Sequence, residues 1–290
     1  MPEPVRQPFL VCGLPKSGTT FLQRTLNLHP QISCPSEQAF KLLGSLIKQS
    51  LKEYEKFLKV VDRRTGGQGA SAYGVSIENE MLAAAIATLS KSFAKGRPIH
   101  GLNDNFVFLQ VARFDNILGH PKIIGIIRNP VDVGLSNWRH SRRLAREEPE
   151  HAAGHLSMLG KARSAEDYVG GTLGNYRARV DEFLTYAATH PNVLAVQYEH
   201  LVAAKAVALS RILEFLGADR DSEVIALLVA QSSREAMASG SAAPGFFGLT
   251  TNDPDKASVS REFRRAALEA AISPRMKEFG YDIAALMLGN

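Results

Sequence analysis

The chain has 290 residues, of which 45% are hydrophobic and 22% charged, with a net charge of +5 and a pI near 9.2. This composition is ample for one large α/β domain, and the modest basic excess favours an enzyme that holds a polyanionic small molecule over a nucleic-acid-binding protein. Two cysteines exclude a disulfide framework and a cysteine-rich metal site. No segment has the length and apolarity of a membrane span, and the first strand begins too early for a signal peptide, so we expect a cytoplasmic protein.

The first recognisable element is an apolar strand, Phe9–Gly13, which leads into a glycine-containing loop and then a helix predicted from about Thr19 to Leu28. This order is typical of a phosphate-binding loop, because loop N–H groups and the helix N-terminus attract an anion. The ATPase version reads G-x-x-x-x-G-K-[ST]. Here Gly13 and Gly18 keep that spacing, but Thr19 stands in the lysine position and the only lysine, Lys16, lies inside the loop. The loop therefore predicts an anion site of a different kind.

Further elements follow in an alternating order. The five segments typical of buried strands are Phe9–Gly13, Gln31–Cys34, Pro98–Leu102, Lys122–Ile127 and Asn192–Tyr198. Helical patterns include Ala39–Val61, Ile77–Lys95, Phe106–Leu118 and Glu166–Ala188. Strands that alternate with helices predict an α/β fold of the P-loop type, in which a central, mainly parallel five-stranded sheet lies between two layers of helices. We expect a single domain over residues 1–290, with irregular loops at 62–76 and 238–260.

A second candidate phosphate-binding motif begins at Arg128, directly after the strongest predicted strand, Lys122–Ile127. Pro130 suits the first turn of a helix, and Ser136 lies eight residues after Arg128, just over two helical turns away, so it can face the same direction as the helix start. An arginine fork with a hydroxyl suits a phosphate, although an arginine here could equally be an ion-pair partner and a helical serine is often only tolerated. The strand offers no aspartate for a metal, so the site is not typical of Mg-ATP binding.

Together these segments resemble the sulfotransferases that use 3′-phosphoadenosine 5′-phosphosulfate (PAPS). Lys16-Ser-Gly-Thr-Thr20 resembles the family's [RK]-S-G-T-T loop for the 5′-phosphosulfate, and Arg128-Asn-Pro through Ser136 resembles its R-[DN]-P-x-x-x-x-x-S motif for the 3′-phosphate. Tyr198-Glu-His-Leu resembles the Y-E-x-L segment that ends a later strand. The resemblance covers roughly residues 9 to 217. It implies that PAPS is bound by Lys16, Ser17, Gly18, Thr19, Thr20, Arg128, Ser136 and Tyr198.

The catalytic base is implied by the segment after the loop. Leu26–Glu37 resembles a run of the tyrosylprotein-type and related bacterial branch, in which a glutamate after the second strand takes this role. The resemblance implies that Glu37 is the base, whereas alone it would be read as a glutamate in the first turn of a helix. The K-T-H run of small-molecule sulfotransferases is absent. His100 is therefore a runner-up base and Asp104 a further candidate, and the family's late R-K-G motif is not found.

The resemblance implies metal-independent transfer of the sulfuryl group of PAPS to a hydroxyl, or as second choice an amine, which releases 3′-phosphoadenosine 5′-phosphate (PAP). The expected partner is a small-molecule, glycan or lipid acceptor, with no nucleic acid and no membrane span; a homodimer is one candidate assembly. Segments at about 40–96, 139–175 and 238–260 are expected to cover the acceptor. Two other functions stay open: a nucleotide or small-molecule kinase with an aberrant loop, and a degenerate nucleotide-binding module.

Overall fold

A parallel β-sheet forms the centre of the structure, a computed structural model that describes residues 7–67, 75–149, 159–233, 237 and 259–288. Its strands within those residues are β1 (Phe9–Gly13), β2 (Ile32–Ser33), β3 (Ile99–Asn103), β4 (Ile123–Ile127) and β5 (Val193–Gln197). They pair in the order β2-β3-β1-β4-β5, and all four ladders are parallel. The expected α/β fold with a central five-stranded sheet is confirmed. Each strand begins and ends within one residue of its predicted bounds.

Helices connect and cover these strands. In chain order they are α1 (Thr19–Asn27), α2 (Phe40–Thr65), α3 (Val75–Phe93), α4 (Asn105–Leu109), α5 (Val111–Ile117), α6 (Pro130–Glu147), α7 (Ala165–Thr189), α8 (Tyr198–Ala203), α9 (Lys205–Leu216), α10 (Ser222–Gln231), α11 (Arg261–Ala271), α12 (Pro274–Glu278) and α13 (Ile283–Leu288). Over the described stretches, no helix combines the length and apolarity needed to cross a bilayer.

Two of the predicted boundaries were wrong. The helix expected over Phe106–Leu118 is split into α4 and α5 at Gln110, whose φ of −141° and ψ of 39° are not helical. The loop expected at 62–76 begins later, because α2 continues to Thr65. The rest of that loop, over 68–74, and the predicted loop at 238–260, apart from its last two residues, lie outside the described residues.

The two faces of the sheet bury two separate apolar clusters, as the alternation of side chains along a strand requires. In β1, Phe9 and Val11 point to the cluster formed with α1, α8, α9 and α10, while Leu10 and Cys12 point to the cluster formed with α2, α3, α5, α6, α7 and α11. Since both faces are covered, the strands are apolar on both sides, which explains the unbroken run Ile123–Ile127 in β4. The molecule thus has three layers.

The order of the strands puts β1 in the middle and brings three loops to one edge. In the ladders, Val11 of β1 is level with Asn103 of β3, and Gly13 of β1 is level with Ile126 of β4. The carboxyl ends of these three neighbouring strands therefore lie side by side. Such an edge is where open α/β sheets bind ligands.

Gly125 in β4 allows α7 to pack against the sheet, because a Cβ atom there would overlap the buried ring of Phe183. We expect Gly125→Ala to lower the free energy of unfolding by about 1–3 kcal/mol through overpacking. The matched control is Gly171→Ala, in the exposed middle of α7, where a Cβ meets nothing within 4 Å. That change should stabilise the protein by about 0.5–1 kcal/mol. Urea unfolding of both variants checks this, and equal effects at the two positions would contradict the packing described.

Candidate active site

The loop between β1 and α1 lies at the centre of this edge. It turns through two residues with positive φ, Lys16 at 71° and Gly18 at 107°, and the second of these stands just before α1. The first hydrogen bond of α1 runs from the Leu22 N–H to the Gly18 carbonyl, at 3.1 Å. The N–H groups that precede Leu22, including those of Thr19 and Thr20, have no acceptor within the helix. The loop therefore presents the positive end of a helix beyond the sheet.

Ser17 adds a polar group beneath this loop. The residue is 1% exposed, and its Oγ atom has no hydrogen-bond partner within the described part of the chain. Because an unpaired buried hydroxyl is costly, its occurrence in the turn that leads to α1 is typical of a site that accepts a polar ligand. The loop residues are thus suited to an anion such as a phosphate.

Lys16 is the cation of the loop, and it is partly buried. The pKa of its amine is lowered to about 8, mainly by burial and then by the positive charge of Arg143 on α6, while the negative charge of Glu37 acts in the opposite direction. Two positive groups and one carboxylate therefore meet over the loop. Repulsion between the two cations is relieved when an anion binds between them.

Arg128 follows β4 and contacts the loop from its other side. Its Nη1 donates to the carbonyl oxygen of Lys16 at 3.1 Å. The guanidinium carbon lies 4.5 Å from the centroid of the Tyr198 ring, and this ring is packed so closely on Gly18 that a Cβ atom there would overlap it. Arg128 and Tyr198 therefore form one wall with the loop. The Tyr176 hydroxyl fixes the backbone of this wall by donating to the Arg128 carbonyl.

The turn after Arg128 is held by a buried hydrogen-bond network that the sequence did not reveal. Asn129 caps α6 by accepting from the Val131 N–H at 2.9 Å, and its own N–H donates to Glu199 at 2.7 Å. The Tyr281 hydroxyl donates to the other oxygen of Glu199 at 3.0 Å. Burial raises the pKa of Glu199, while these hydrogen bonds and the charge of Arg128 act in the opposite direction. The glutamate beside Tyr198 thus positions the start of α6.

Ser136 lies on α6, partly exposed, six residues after the helix start. The next residue, Asn137, reaches the loop, since its Nδ2 lies 3.5 Å from the Pro15 carbonyl oxygen. Arg143 is seven residues beyond Ser136, a spacing that places both on one face of the helix. Helix α6 therefore runs past the loop with a hydroxyl and a cation on the same side.

Glu37 lies on the opposite side of the loop, after β2. Its backbone forms an isolated parallel bridge with Asn103, and the N–H of Gln38 donates to the Asn103 carbonyl at 2.8 Å. The carboxylate accepts from Asn105 Nδ2 at 2.8 Å. Burial raises the pKa of this carboxyl, whereas the charge of Lys16 and the Asn105 hydrogen bond lower it. The structure thus brings the predicted base and the loop lysine into one electrostatic group.

The other two candidate bases lie in different surroundings. His100 stands three residues before the end of β3, about 10 Å from the edge along the strand, and its Nδ1 lies 2.6 Å from Ser90 Oγ. The structure therefore does not bring His100 to the loop. Asp104 does lie at the edge, but its two oxygens accept from the N–H groups of Phe40 and Phe106, each at 2.7 Å. That carboxylate joins the starts of α2 and α4.

Within the ranges that the structure describes, no group of three or more His, Cys, Asp or Glu side chains could hold a metal ion. A loop suited to an anion after the central strand, with cations on one side and a carboxylate on the other, is typical of α/β enzymes that transfer groups.

Comparison with known families identifies the class more closely. The model of the sulfotransferase family matches residues 8–222, which is well over half of the 290-residue chain. The chain belongs to the sulfotransferase family, and the resemblance predicted from its motifs is confirmed at this level. No curated protein sequence matches the chain.

Several solved structures have a similar fold. Mouse sulfotransferase SULT7A1, complexed with PAP, gives a TM-score of 0.55 at 18% identity, with 98% of this chain and 88% of that chain covered. The sulfotransferase from Alicyclobacillus acidocaldarius gives 0.53 at 19% identity, with 97% and 98% covered. Retinol dehydratase in a complex with retinol and PAP gives 0.56 at 16% identity, with 96% and 84% covered. At these identities the similarity concerns the fold.

Asp104→Ala tests the junction that supports this site. The variant leaves two N–H groups without their acceptor, so we expect its free energy of unfolding to fall by about 2 kcal/mol or more at pH 7. Burial raises the pKa of Asp104 to about 6 in the folded protein. The extra stability that comes from protonation of this carboxyl is therefore largest below about pH 4 and is lost as the pH rises through 6, where only the hydrogen bonds of the charged form remain. The difference between wild type and variant should widen by about 1 kcal/mol from pH 7 to pH 5.

Urea unfolding at the two pH values measures this difference. The matched control is Asp282→Ala, because Asp282 accepts from the Ala284 N–H at 2.7 Å in an exposed position, where water can replace the carboxylate. We expect a smaller loss there. A loss at Asp104 no larger than at Asp282, or a difference that narrows on acidification, would contradict the role of Asp104.

Proposed function

We propose that the protein transfers the sulfuryl group of PAPS to a hydroxyl group of a small-molecule acceptor. The observation that carries this proposal is the meeting of a basic phosphate-type loop with the carboxylate of Glu37 at one edge of the sheet. Family membership supports the reaction type. Two of the similar structures are described as PAP complexes, which supports the nucleotide.

The residues at the edge suit the nucleotide at both of its anionic ends. The loop N–H groups, the unpartnered hydroxyl of Ser17 and those of Thr19 and Thr20 would hold the 5′-phosphosulfate. Arg128 and Ser136 would hold the 3′-phosphate, which distinguishes PAPS from ATP. Tyr198 would support both ends, because its ring lies against Gly18 and Arg128. The nucleotide supplies the activated sulfuryl group.

The chemical step requires a cation at the leaving oxygen and a base at the attacking one. The acceptor oxygen forms a bond to sulfur while the bond between sulfur and the bridging oxygen breaks, and its electron pair stays on the phosphate. Lys16 would stabilise the negative charge that grows on that bridging oxygen, and Arg143 would add to the positive potential. Glu37 would take the proton of the acceptor hydroxyl, and its raised pKa makes it a better proton acceptor than an ordinary glutamate.

A cavity of about 520 Å³ opens beside Glu37 and suits the acceptor. Its lining combines the apolar side chains of Ala39, Leu42 and Phe106 with polar ones from the start of α2, so part of the segment 40–96 would cover the acceptor as expected from the sequence. A larger groove of about 680 Å³ lies between α9 and α10, but none of its lining residues belongs to the loop or to either motif. Two structures of retinol dehydratase hold androsterone or retinol, which favours an acceptor with an apolar body.

Three expectations from the sequence stay predictions. The protein would belong to the sulfotransferase branch that uses a glutamate base, it would form a single domain over residues 1–290, and the segment 139–175 would cover the acceptor. The covering role of 238–260 falls almost wholly outside the described residues.

A thermal-shift assay with two nucleotides tests the proposal. Marked stabilisation by PAP but not by Mg-ATP supports the sulfotransferase, because a ligand that binds only the folded state raises the melting temperature. Stabilisation by Mg-ATP alone would instead identify a kinase, and no response to either would identify a degenerate module. Incubation with PAPS and a panel of hydroxylated metabolites, read by mass spectrometry for added sulfate, then identifies the acceptor.

Lys16→Ala should lower kcat by about 100-fold or more with the acceptor found in that panel, while the Kd for PAP changes far less. The lysine is charged below its pKa of about 8. We therefore expect kcat/KM of wild type to fall as the pH rises through 8, and Lys16→Arg to move this decline to higher pH. Near-normal turnover of Lys16→Ala would show that the lysine does not stabilise the leaving oxygen.

Arg128→Ala should weaken PAP binding by about tenfold or more, since a charge-assisted hydrogen bond to phosphate is lost. Adenosine 5′-monophosphate lacks the 3′-phosphate, so its affinity should change much less, and Ser136→Ala should show the same selectivity at smaller size. The control is Arg179→Ala, because Arg179 forms an exposed ion pair with Glu182 on α7. Isothermal titration calorimetry measures both nucleotides. Equal losses for the two would place Arg128 elsewhere than at the 3′-phosphate.

A further inference from the structure

Asn105 is the first residue of α4, and its side chain connects two parts of the site that lie far apart in the sequence, the nucleotide loop and Glu37. Its Nδ2 donates to Glu37 Oε1 at 2.8 Å, and its Oδ1 accepts from Thr19 Oγ1 at 3.3 Å. Thr19 opens α1 next to the nucleotide loop, while Glu37 follows β2. One amide side chain therefore spans the space between the loop and the proposed base.

The chemistry of the three groups fixes the direction of both hydrogen bonds. An ionised carboxylate can only accept, so the NH₂ group of Asn105 must face Glu37. The amide oxygen then faces Thr19, whose hydroxyl supplies the proton. A carboxylate that receives such a hydrogen bond is stabilised in its charged form, which agrees with the lowering effect of Asn105 on the pKa of Glu37.

The backbone that carries Asn105 is held at several points. Asp104 precedes it, and this carboxylate caps α4 through the Phe106 N–H and also accepts from the Phe40 N–H at the start of α2. The Asp104 N–H donates to the Val11 carbonyl of β1 at 3.0 Å. Asn105 therefore starts from a fixed position at the sheet edge. Because the asparagine side chain is short, its amide can hold Glu37 in one orientation.

We infer that Asn105 is a positioning residue, which orients the Glu37 carboxylate and ties it through Thr19 to the nucleotide loop. The inference rests on the proposed function, because it assigns Asn105 to a base that function requires. It goes further by naming the group that sets the direction and the proton affinity of that base. The acceptor hydroxyl then meets a carboxylate oxygen already placed relative to the bound nucleotide.

The other charged groups around Glu37 stay the same when Asn105 is replaced. Lys16 faces it from the loop, Asp104 faces it from the junction of β3 and α4, and Lys41 of α2 lines the same cavity. A change in the pKa of Glu37 in Asn105→Ala, which adds no charge, therefore reports the lost amide hydrogen bond.

The test is a carbon-13 NMR titration of full-length protein with labelled glutamate carboxyls, in which the Glu37 signal is assigned from its absence in Glu37→Gln. In Asn105→Ala, we expect the pKa of Glu37 to move upward because the carboxylate loses its donor. In Asn105→Asp, which keeps the size and an acceptor for Thr19, it should move further upward because a second carboxylate repels the first. The control is Asn79→Ala, since Asn79 is likewise partly buried but bonds to Arg113 on α5.

The link to the loop is tested with a second matched pair. Thr19→Val removes the hydroxyl that holds the amide oxygen, so the pKa of Glu37 should move upward by less than in Asn105→Ala, whereas Thr19→Ser keeps the hydroxyl and should leave it unchanged. In the double variant with Asn105→Ala, Thr19→Val should have no further effect, since it acts through Asn105. A full additional effect in the double variant would overturn the link through Asn105.

PAP binding, measured on the same samples by thermal shift, separates this inference from the proposed function. If PAP binds and the pKa of Glu37 is the same in wild type, Asn105→Ala and Asn105→Asp, the positioning role is refuted and the function stands. If the pKa moves as expected but wild type does not bind PAP, Asn105 does orient Glu37, and it is the proposed function that fails. Movement of the pKa together with PAP binding supports both.

Discussion

The carboxylate of Asp104, shared between two backbone N–H groups, is the contact on which the arrangement of the active edge depends. One oxygen receives the first turn of α4 and the other receives the start of α2, so a single side chain fixes where both helices leave the sheet. Burial opposes its charge and raises its pKa to about 6, while the N–H groups favour the charged form. Glu37 lies three residues before α2 and Asn105 is the first residue of α4. Their meeting is therefore a consequence of the shared carboxylate.

On the other side of the loop, where α6 begins, a carboxylate again accepts hydrogen bonds from two groups. Glu199 accepts from the Asn129 N–H, which starts α6, and from Tyr281 near the end of the chain. In both places a carboxylate, buried in Asp104 and half-buried in Glu199, directs helices that carry candidate site residues. The loop itself leaves from β1, the central strand, which is paired on both sides. Asp104 and Glu199 thus connect the rigid sheet to the helices on the two sides of the loop.

The fold and the loop side of the candidate site could be predicted from the sequence, because both are marked by short local patterns of residues. An apolar run such as Ile123–Ile127 predicts a buried strand by itself, and the loop around Lys16 has its meaning within a few residues. The pairing of Asn105 with Glu37 joins residues 68 positions apart, and an asparagine after a strand has no pattern that names its partner. His100 was considered as a runner-up base because it lies in the region of the family's K-T-H run, and the sequence of a strand does not show how far a residue lies from the edge of the sheet. The break at Gln110 was missed because α4 and α5 share one apolar pattern across it.

The like charges of Lys16 and Arg143 also have a consequence for how the protein is handled. Two neighbouring cations favour whatever dianion is abundant in solution, and inorganic phosphate and sulfate carry the required charge and shape. We expect such ions to compete with a nucleotide for the loop and to stabilise the folded protein when the nucleotide is absent. Protein purified in phosphate or ammonium sulfate should therefore be more stable and show a weaker apparent nucleotide affinity than protein in a chloride buffer of low ionic strength.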